Sequence, residues 1–288
     1  MIRAWLILAD ILVILLLLFS FILFYLYPVK NQQIPSVAIV FEKDIFLKDF
    51  TIEKEKHNAI LTVEDLIRMA KKNWEYEFVA LEKFVEVPLE ESLLLVHAQM
   101  GDPVFIRIFK EESTLEVWIR SQSDYVLLKL YTICAYSGEL GPKLKEGDRQ
   151  SPEGFYKVKK HHLNPHSKFH LSFNLGYPNR YDRAHQRTGS FLMIHGNCVS
   201  IGCYAMTDEK IEEIYTLVEE ALNKGQKYVQ VHAFPFRMTD ENMALYSEHH
   251  WYDFWVNLKD GYDYFEAEKL PPLIKVKNKS YIIHEASE

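Results

Sequence analysis

Chemistry in this 288-residue chain concentrates in one stretch, Phe191-Leu192-Met193-Ile194-His195-Gly196-Asn197-Cys198-Val199-Ser200-Ile201-Gly202-Cys203-Tyr204. A short apolar run delivers His195, a glycine-containing turn follows, and Ser200-Ile201-Gly202-Cys203 closes the segment. A free thiol titrates near 8.5, about a unit or more above neutral, so a nucleophilic cysteine needs an adjacent base to form thiolate. His195 can be that base and Cys203 the nucleophile. Small residues such as Gly196 and Gly202 let backbone N–H groups come close to a developing oxyanion. Spacing alone leaves a second reading open, in which a histidine and a cysteine eight residues apart are packed core groups.

The other cysteines and histidines bear on that choice. Cys134, Cys198 and Cys203 make three, and an odd count leaves at least one thiol free where disulfides form. Cys198 could bridge to Cys203, or to Cys134, the pairing that keeps Cys203 free; a bridge needs a specific Cα geometry that sequence does not reveal. His161, His162, His166 and His170 invite a metal reading, but Pro165 interrupts any common helical face and no acidic or cysteine ligand lies among them. We read them as a solvated, substrate-facing loop, and expect neither metal nor cofactor.

Several elements must hold this segment in place. Val104–Phe109, Leu115–Ile119 and Tyr125–Tyr131 are β-branched and aromatic runs between polar turns, which predicts an antiparallel meander. Gly138, Gly141-Pro142, Gly147-Asp148 and Pro152-Glu153-Gly154 then punctuate a long ordered loop before a strand at Phe155–Lys159. Apolar residues at 211, 214, 215, 218, 221 and 222 predict an amphipathic helix from Asp208 that Gly225 ends, followed by a strand from Tyr228 to Phe234. The Tyr- and Trp-rich remainder reads as helices plus one short closing strand. Upstream, Thr62 caps a helical pattern reaching Leu81, and Pro88 opens another over Leu89–Val96.

Compartment is set by the amino terminus. Ala4 to Tyr27 is nearly continuous apolar sequence, and roughly 20 such residues suffice to span a bilayer. The run is longer than a cleavable signal sequence and lacks a small-residue cleavage site. We expect an uncleaved transmembrane signal-anchor at 1–28, a stalk and helical lead-in at 29–100, a catalytic domain at 101–238 and a C-terminal extension packed on it at 239–288. The expected orientation is amino terminus inside, which puts a single-pass protein in the inner membrane with its body in the periplasm. A net charge of −7 with no basic block argues against nucleic acid as a partner.

The His195-Gly196 and Ser200-Ile201-Gly202-Cys203 elements resemble the active-site motif of the YkuD-type L,D-transpeptidases. Further stretches are similar to the YafK branch of that family: Gly101-Asp102-Pro103 through Lys110, Ser137-Gly138 through Lys143, Gly147-Asp148 through Tyr156, Gly176-Tyr177-Pro178-Asn179, Tyr181-Asp182-Arg183-Ala184-His185, and His232 through Arg237. The resemblance implies a mainly β, sandwich-like catalytic domain with flanking helices, and a cysteine that attacks the carbonyl of the diamino residue in a peptidoglycan stem peptide. It makes Cys203 the nucleophile and His195 the base, with Gly196, Ser200 and Gly202 shaping the turn and oxyanion hole. The family's second histidine and its arginine after the cysteine are replaced here by Ile201 and Tyr204. Arg180, Arg183, Arg187 and Arg237 are then candidates to bind substrate carboxylate. We take Arg183, His185, Arg237 and Tyr204 as the substrate-contacting set.

The function expected is a cysteine acyltransferase on murein stem peptides. Alternatives are a hydrolase of the same fold that releases cross-links or a murein-bound lipoprotein, and a non-catalytic murein-binding domain on a membrane anchor. A papain-like protease is disfavoured because its local signature around the nucleophile is absent.

Overall fold

The computed structural model describes residues 87–285. The expected anchor, stalk and first helix therefore lie outside the described residues. Helix α1 is Leu89–Leu95, entered from Pro88, whose fixed φ and missing N–H suit a helix start. Strands β1 (Val104–Phe109), β2 (Thr114–Ser121) and β3 (Asp124–Thr132) form the predicted antiparallel meander.

The first sheet is completed from far along the chain. Strand β4 is Gly154–Val158 and strand β9 is Val229–Phe234, and the strand order is β3-β2-β1-β9-β4. Strand β9 runs parallel to β1 and antiparallel to β4. All six residues of β1 are buried, because both faces of the sheet are covered. Val104, Ile106 and Ile108 enter the main core, while Phe105, Arg107 and Phe109 alternate onto the other face.

The second sheet is ordered β5-β6-β7-β8, from β5 (Leu163–Ser167), β6 (His170–Asn174), β7 (Met193–His195) and β8 (Tyr204–Ala205). Helix α2 (Arg180–Ala184) interrupts it and helix α3 (Asp208–Asn223) follows it. Thr207 caps α3 by accepting from the Lys210 N–H, and the apolar face at Ile211, Ile214, Val218 and Ala221 closes the main core between the sheets.

Helices α4 (Asp240–Leu245) and α5 (Tyr252–Glu268) precede a hairpin of β10 (Leu273–Lys277) and β11 (Ser280–His284). Helix α5 covers the second face of the first sheet with Phe254, Trp255, Leu258 and Tyr262, against Phe109, Phe155 and Phe234. Arg107, on that aromatic face, is neutralised by Glu116 at 2.7 Å and by Glu266 of α5 at 2.6 Å.

Two readings of the sequence are corrected. The single closing strand is a hairpin, turned at Asn278 and Lys279 with φ of 50° and 60°. Both central residues with positive φ define a turn usually marked by glycine, and its absence hid the signal. The histidine-rich loop is a short 3-10 turn (Lys160–His162) followed by the β5–β6 hairpin. Pro165 is accommodated because β5 is an edge strand, where a missing N–H costs no ladder bond.

Candidate active site

Strand β7 runs parallel to β8, pairing Ile194 with Tyr204 and His195 with Ala205. Side chains alternate along a strand, so Ile194 and Tyr204 point into the core, where both are wholly buried. Cys203 directly precedes β8, and the Met193 N–H donates to its Sγ at 3.4 Å. Cys203 thus bonds to the first residue of β7, and His195 is the last residue of the same strand. The thiol donates to Phe191 O at 3.7 Å.

Both groups rest uncharged. Burial pushes the Cys203 thiol above its ordinary value, against the opposing Met193 N–H and the positive field of Lys143. Burial also holds His195 below the usual imidazole range, opposed by its contact with Gly196 O. His195 Nδ1 lies 2.6 Å from Gly196 O, so the neutral ring carries its proton there and leaves Nε2 as the acceptor. A neutral imidazole with a free acceptor nitrogen is the form a general base requires. The Phe169 ring, at the tip of the β5–β6 hairpin, lies 4.8 Å from the His195 ring.

The turn between them is built on unusual backbone. Asn197 and Cys198 have φ of 64° and 50°, and Gly202 has φ of 143°. A Cβ at Gly196 would fall 2.5 Å from Asp208 Oδ1, so only glycine lets this turn seat on the start of α3. The same Asp208 oxygen accepts the Asn197 N–H at 2.7 Å. Cys198 is bonded to Cys134, the pairing that leaves Cys203 as the free cysteine among the described residues. The bridge fastens the turn to the segment after β3, and both partners donate backbone N–H groups to the strand beyond the nucleophile: Cys134 to Ala205 O and Cys198 to Met206 O.

Three hydroxyls fix the backbone of Cys203. Its carbonyl accepts from Ser200 Oγ at 2.8 Å and from Ser151 Oγ at 2.9 Å. Because the Ser200 hydrogen is spent there, Ser137 Oγ, 2.8 Å away, must donate to Ser200. Ser200 also accepts the Gly202 N–H at 3.1 Å, and Ser151 accepts the Ser137 N–H at 3.0 Å. The Gly196 N–H goes to the Phe169 and Leu171 carbonyls. The N–H groups of Gly196 and Gly202 are therefore occupied in this structure, and what these glycines supply is backbone shape.

The expected substrate contacts separate from this centre. Tyr204 is fully buried, and its hydroxyl donates to Pro152 O at 2.7 Å. It is a core residue on β8, paired with Ile194 and buried with it in the main core. Arg237 pairs with Glu116 at 2.7 Å and sits over the Phe109 ring, on the α5 side of the first sheet. Arg187 is buried against Asp182 at 3.0 Å. Arg183 donates to Pro178 O, while His185 stacks on Tyr181 and contacts Lys279 O. None of these bonds leads to Cys203 or His195. The histidine run is dispersed too: His170 pairs with Glu212 at 2.7 Å, and no group of three metal-ligating side chains converges among the described residues.

Sequence reasoning missed Ser137, Ser151 and Lys143. All lie in stretches that carried the family resemblance, but no spacing rule ties a serine fifty-two residues upstream to a cysteine carbonyl.

The family model of the L,D-transpeptidase catalytic domain, YkuD, matches residues 103–231. The chain belongs to that family. It is 53% identical over 184 residues to "Putative L,D-transpeptidase YafK" of Escherichia coli K12, an alignment covering 64% of this chain and 75% of that protein. The protein of the same description in Escherichia coli O157:H7 matches equally. Among solved structures, the helical cell shape determining protein Pgp2 of Campylobacter jejuni aligns with TM-score 0.38 and 18% identity, over 65% of this chain and 80% of that one. Bd1075 of Bdellovibrio bacteriovorus aligns with TM-score 0.34 and 20% identity, over 47% of this chain and 48% of that one.

Proposed function

We propose that this chain is a cysteine acyltransferase acting on peptidoglycan stem peptides. His195 Nε2 takes the Cys203 proton as sulfur attacks the carbonyl of the diamino residue. The scissile C–N bond then breaks, the leaving amine takes the proton from the imidazolium, and a thioester remains on Cys203. An acceptor amine displaces the sulfur and restores the thiol; water in that place gives a hydrolase, with a murein-bound lipoprotein among its substrates. The observation that supports this reading is the hydrogen bond from the Met193 N–H of β7, the strand that ends in His195, to Cys203 Sγ, while the other two cysteines are bridged.

The disulfide also supports an oxidising compartment, in keeping with a periplasmic body behind a transmembrane anchor at 1–28. The full chain, incubated with purified murein, is expected to release or join stem peptides and to accumulate a peptide adduct on Cys203 visible by intact mass. New amide linkages would identify the transferase, and new free carboxyls the hydrolase. Processing of murein by Cys203→Ala at the parent rate would refute the reading. The anchored topology predicts that full-length protein stays with the inner membrane in high salt, whereas a soluble form shortened by about 25–30 residues would mark a cleaved signal sequence.

A further inference from the structure

The Ser151 hydroxyl that fixes Cys203 is itself held from beneath by a buried polar cluster. Lys110, at the end of β1, and Glu153, just before β4, are both completely buried and form an ion pair of 3.0 Å. Lys110 Nζ also donates to the carbonyls of Glu139, Gly141 and Ser151, at 2.6, 3.1 and 3.3 Å. The other face of the carboxylate is occupied as well: Glu153 Oε1 accepts the Gly141 N–H at 2.6 Å, and Glu153 Oε2 accepts Trp255 Nε1 of α5 at 2.9 Å. Trp251, the residue just before α5, supplies a second touch, its indole lying 2.5 Å from where a Cβ on Gly141 would be. Gly141 has φ of 124° and no side chain to clash there.

The two ends of the loop between β3 and β4 are thus gathered onto one ammonium group and one carboxylate. An unbroken line of hydrogen bonds runs from Trp255 through Glu153, Lys110 and the Ser151 carbonyl; the Ser151 hydroxyl then meets the carbonyl of the nucleophile. Burial of a charge pair is tolerated only when its remaining lone pairs and protons are satisfied, and here the satisfied groups are the loop's own backbone.

We infer that Trp255 is a positioning residue for the acyl-transfer reaction, acting through Glu153, Lys110 and Ser151 to fix the backbone of Cys203, so that the C-terminal helix sets the approach of the thiol to His195. The turnover part of this inference rests on the proposed function; the thiol part does not. Trp255 touches neither the thiol nor any atom that reacts. Replacing it by phenylalanine keeps the aromatic packing of α5 but strands one buried carboxylate oxygen, and Glu153 then turns to satisfy it. The shift passes to Ser151 and frees the Cys203 carbonyl on one side. A misplacement of about 1 Å at a reacting group can lower a rate by about a hundredfold.

The test compares the full chain with Trp255→Phe, Ser151→Ala and the double variant. Three readouts are taken: kcat and KM on stem peptide, the rate of Cys203 alkylation by iodoacetamide across pH, and Tm. Each single substitution is expected to lower kcat and the alkylation rate by about tenfold while KM stays within about twofold. The double variant is expected to be no slower than the slower single, since both act along one line. Trp255→His, which keeps a ring N–H, should recover part of the loss. Multiplicative effects in the double variant overturn the inference, as does a Trp255→Phe protein with lower Tm but parental kcat and alkylation. Should Trp255→Phe fail to fold, parental alkylation in Ser151→Ala overturns it by itself. Alkylation needs no murein, so wild-type protein inert on stem peptide would count against the proposed function and leave this inference still decidable.

Discussion

A thiol raised by burial and an imidazole lowered by burial make a pair that is uncharged at rest, so the thiolate must form during attack rather than wait for substrate. The field of Lys143 is the charge that opposes this on Cys203. Lys143 is itself ordered by Asp148 at 2.5 Å and by the Lys145 carbonyl. Lys143→Met is therefore expected to move the alkylation profile of Cys203 to higher pH, because a cation that favours the thiolate is lost. His195→Ala should slow alkylation at neutral pH without moving the profile down. A profile identical to the parent in both variants would show that neither group senses the sulfur. At this scale the nucleophile and base were legible because one short segment carries both. The substrate set was not: whether Arg237 or Tyr204 faces a cleft depends on strand alternation and on acidic partners, such as Glu116, that lie far away in sequence.

Among the elements, the meander, α3 and β9 could be read directly, since their periodicity of two or near 3.6 is local. The parallel joins β1–β9 and β7–β8 could not, because nothing in an apolar run names its partner, whether more than a hundred residues away, as for β1, or ten, as for β7. The Cys134–Cys198 bridge belongs to this scale, tying the β3 exit to the turn before the nucleophile. It spans 64 residues of sequence, and loop closure of that length corresponds to about 4 kcal/mol of denatured-state entropy. Cys134→Ala/Cys198→Ala is expected to unfold at a lower denaturant midpoint with Cys203 alkylated more readily. A midpoint equal to the parent's would mean that the bridge holds nothing.

For the molecule as a whole, the central sheet is shielded on both faces, and one consequence is acid sensitivity. His232 on β9 is completely buried between Phe105 and Phe155, and its Nδ1 has no hydrogen-bond partner among the described residues. Burial holds it well below the ordinary imidazole value of 6.5, with Arg107 and Lys157 adding to the effect. Above that value the ring is neutral whether folded or not, and it exerts no pH effect. Below it the unfolded chain takes up a proton that the folded one refuses. Stability should then fall by up to about 1.4 kcal/mol per pH unit until the folded group finally titrates. His232→Leu is expected to flatten the slope of Tm between pH 6.5 and 5; an unchanged slope would place the acid sensitivity elsewhere. The β-branched and aromatic runs made the meander of β1 and β2 readable but not its two-sided burial, because the cover, α5, comes from a segment whose aromatic residues carry little period.

The disulfide also changes what a protease could do to this protein. Cys134 and Cys198 close a covalent ring that contains the glycine-rich loop, β4 through β7, and His195, while Cys203 lies outside it. A single cut anywhere inside the ring leaves one molecule rather than two. The severed ends stay at high effective concentration, with base and nucleophile still in one covalent unit. Such a nicked species would migrate as a single covalent unit until a reductant is added, then separate into an amino-terminal piece and a piece bearing Cys203.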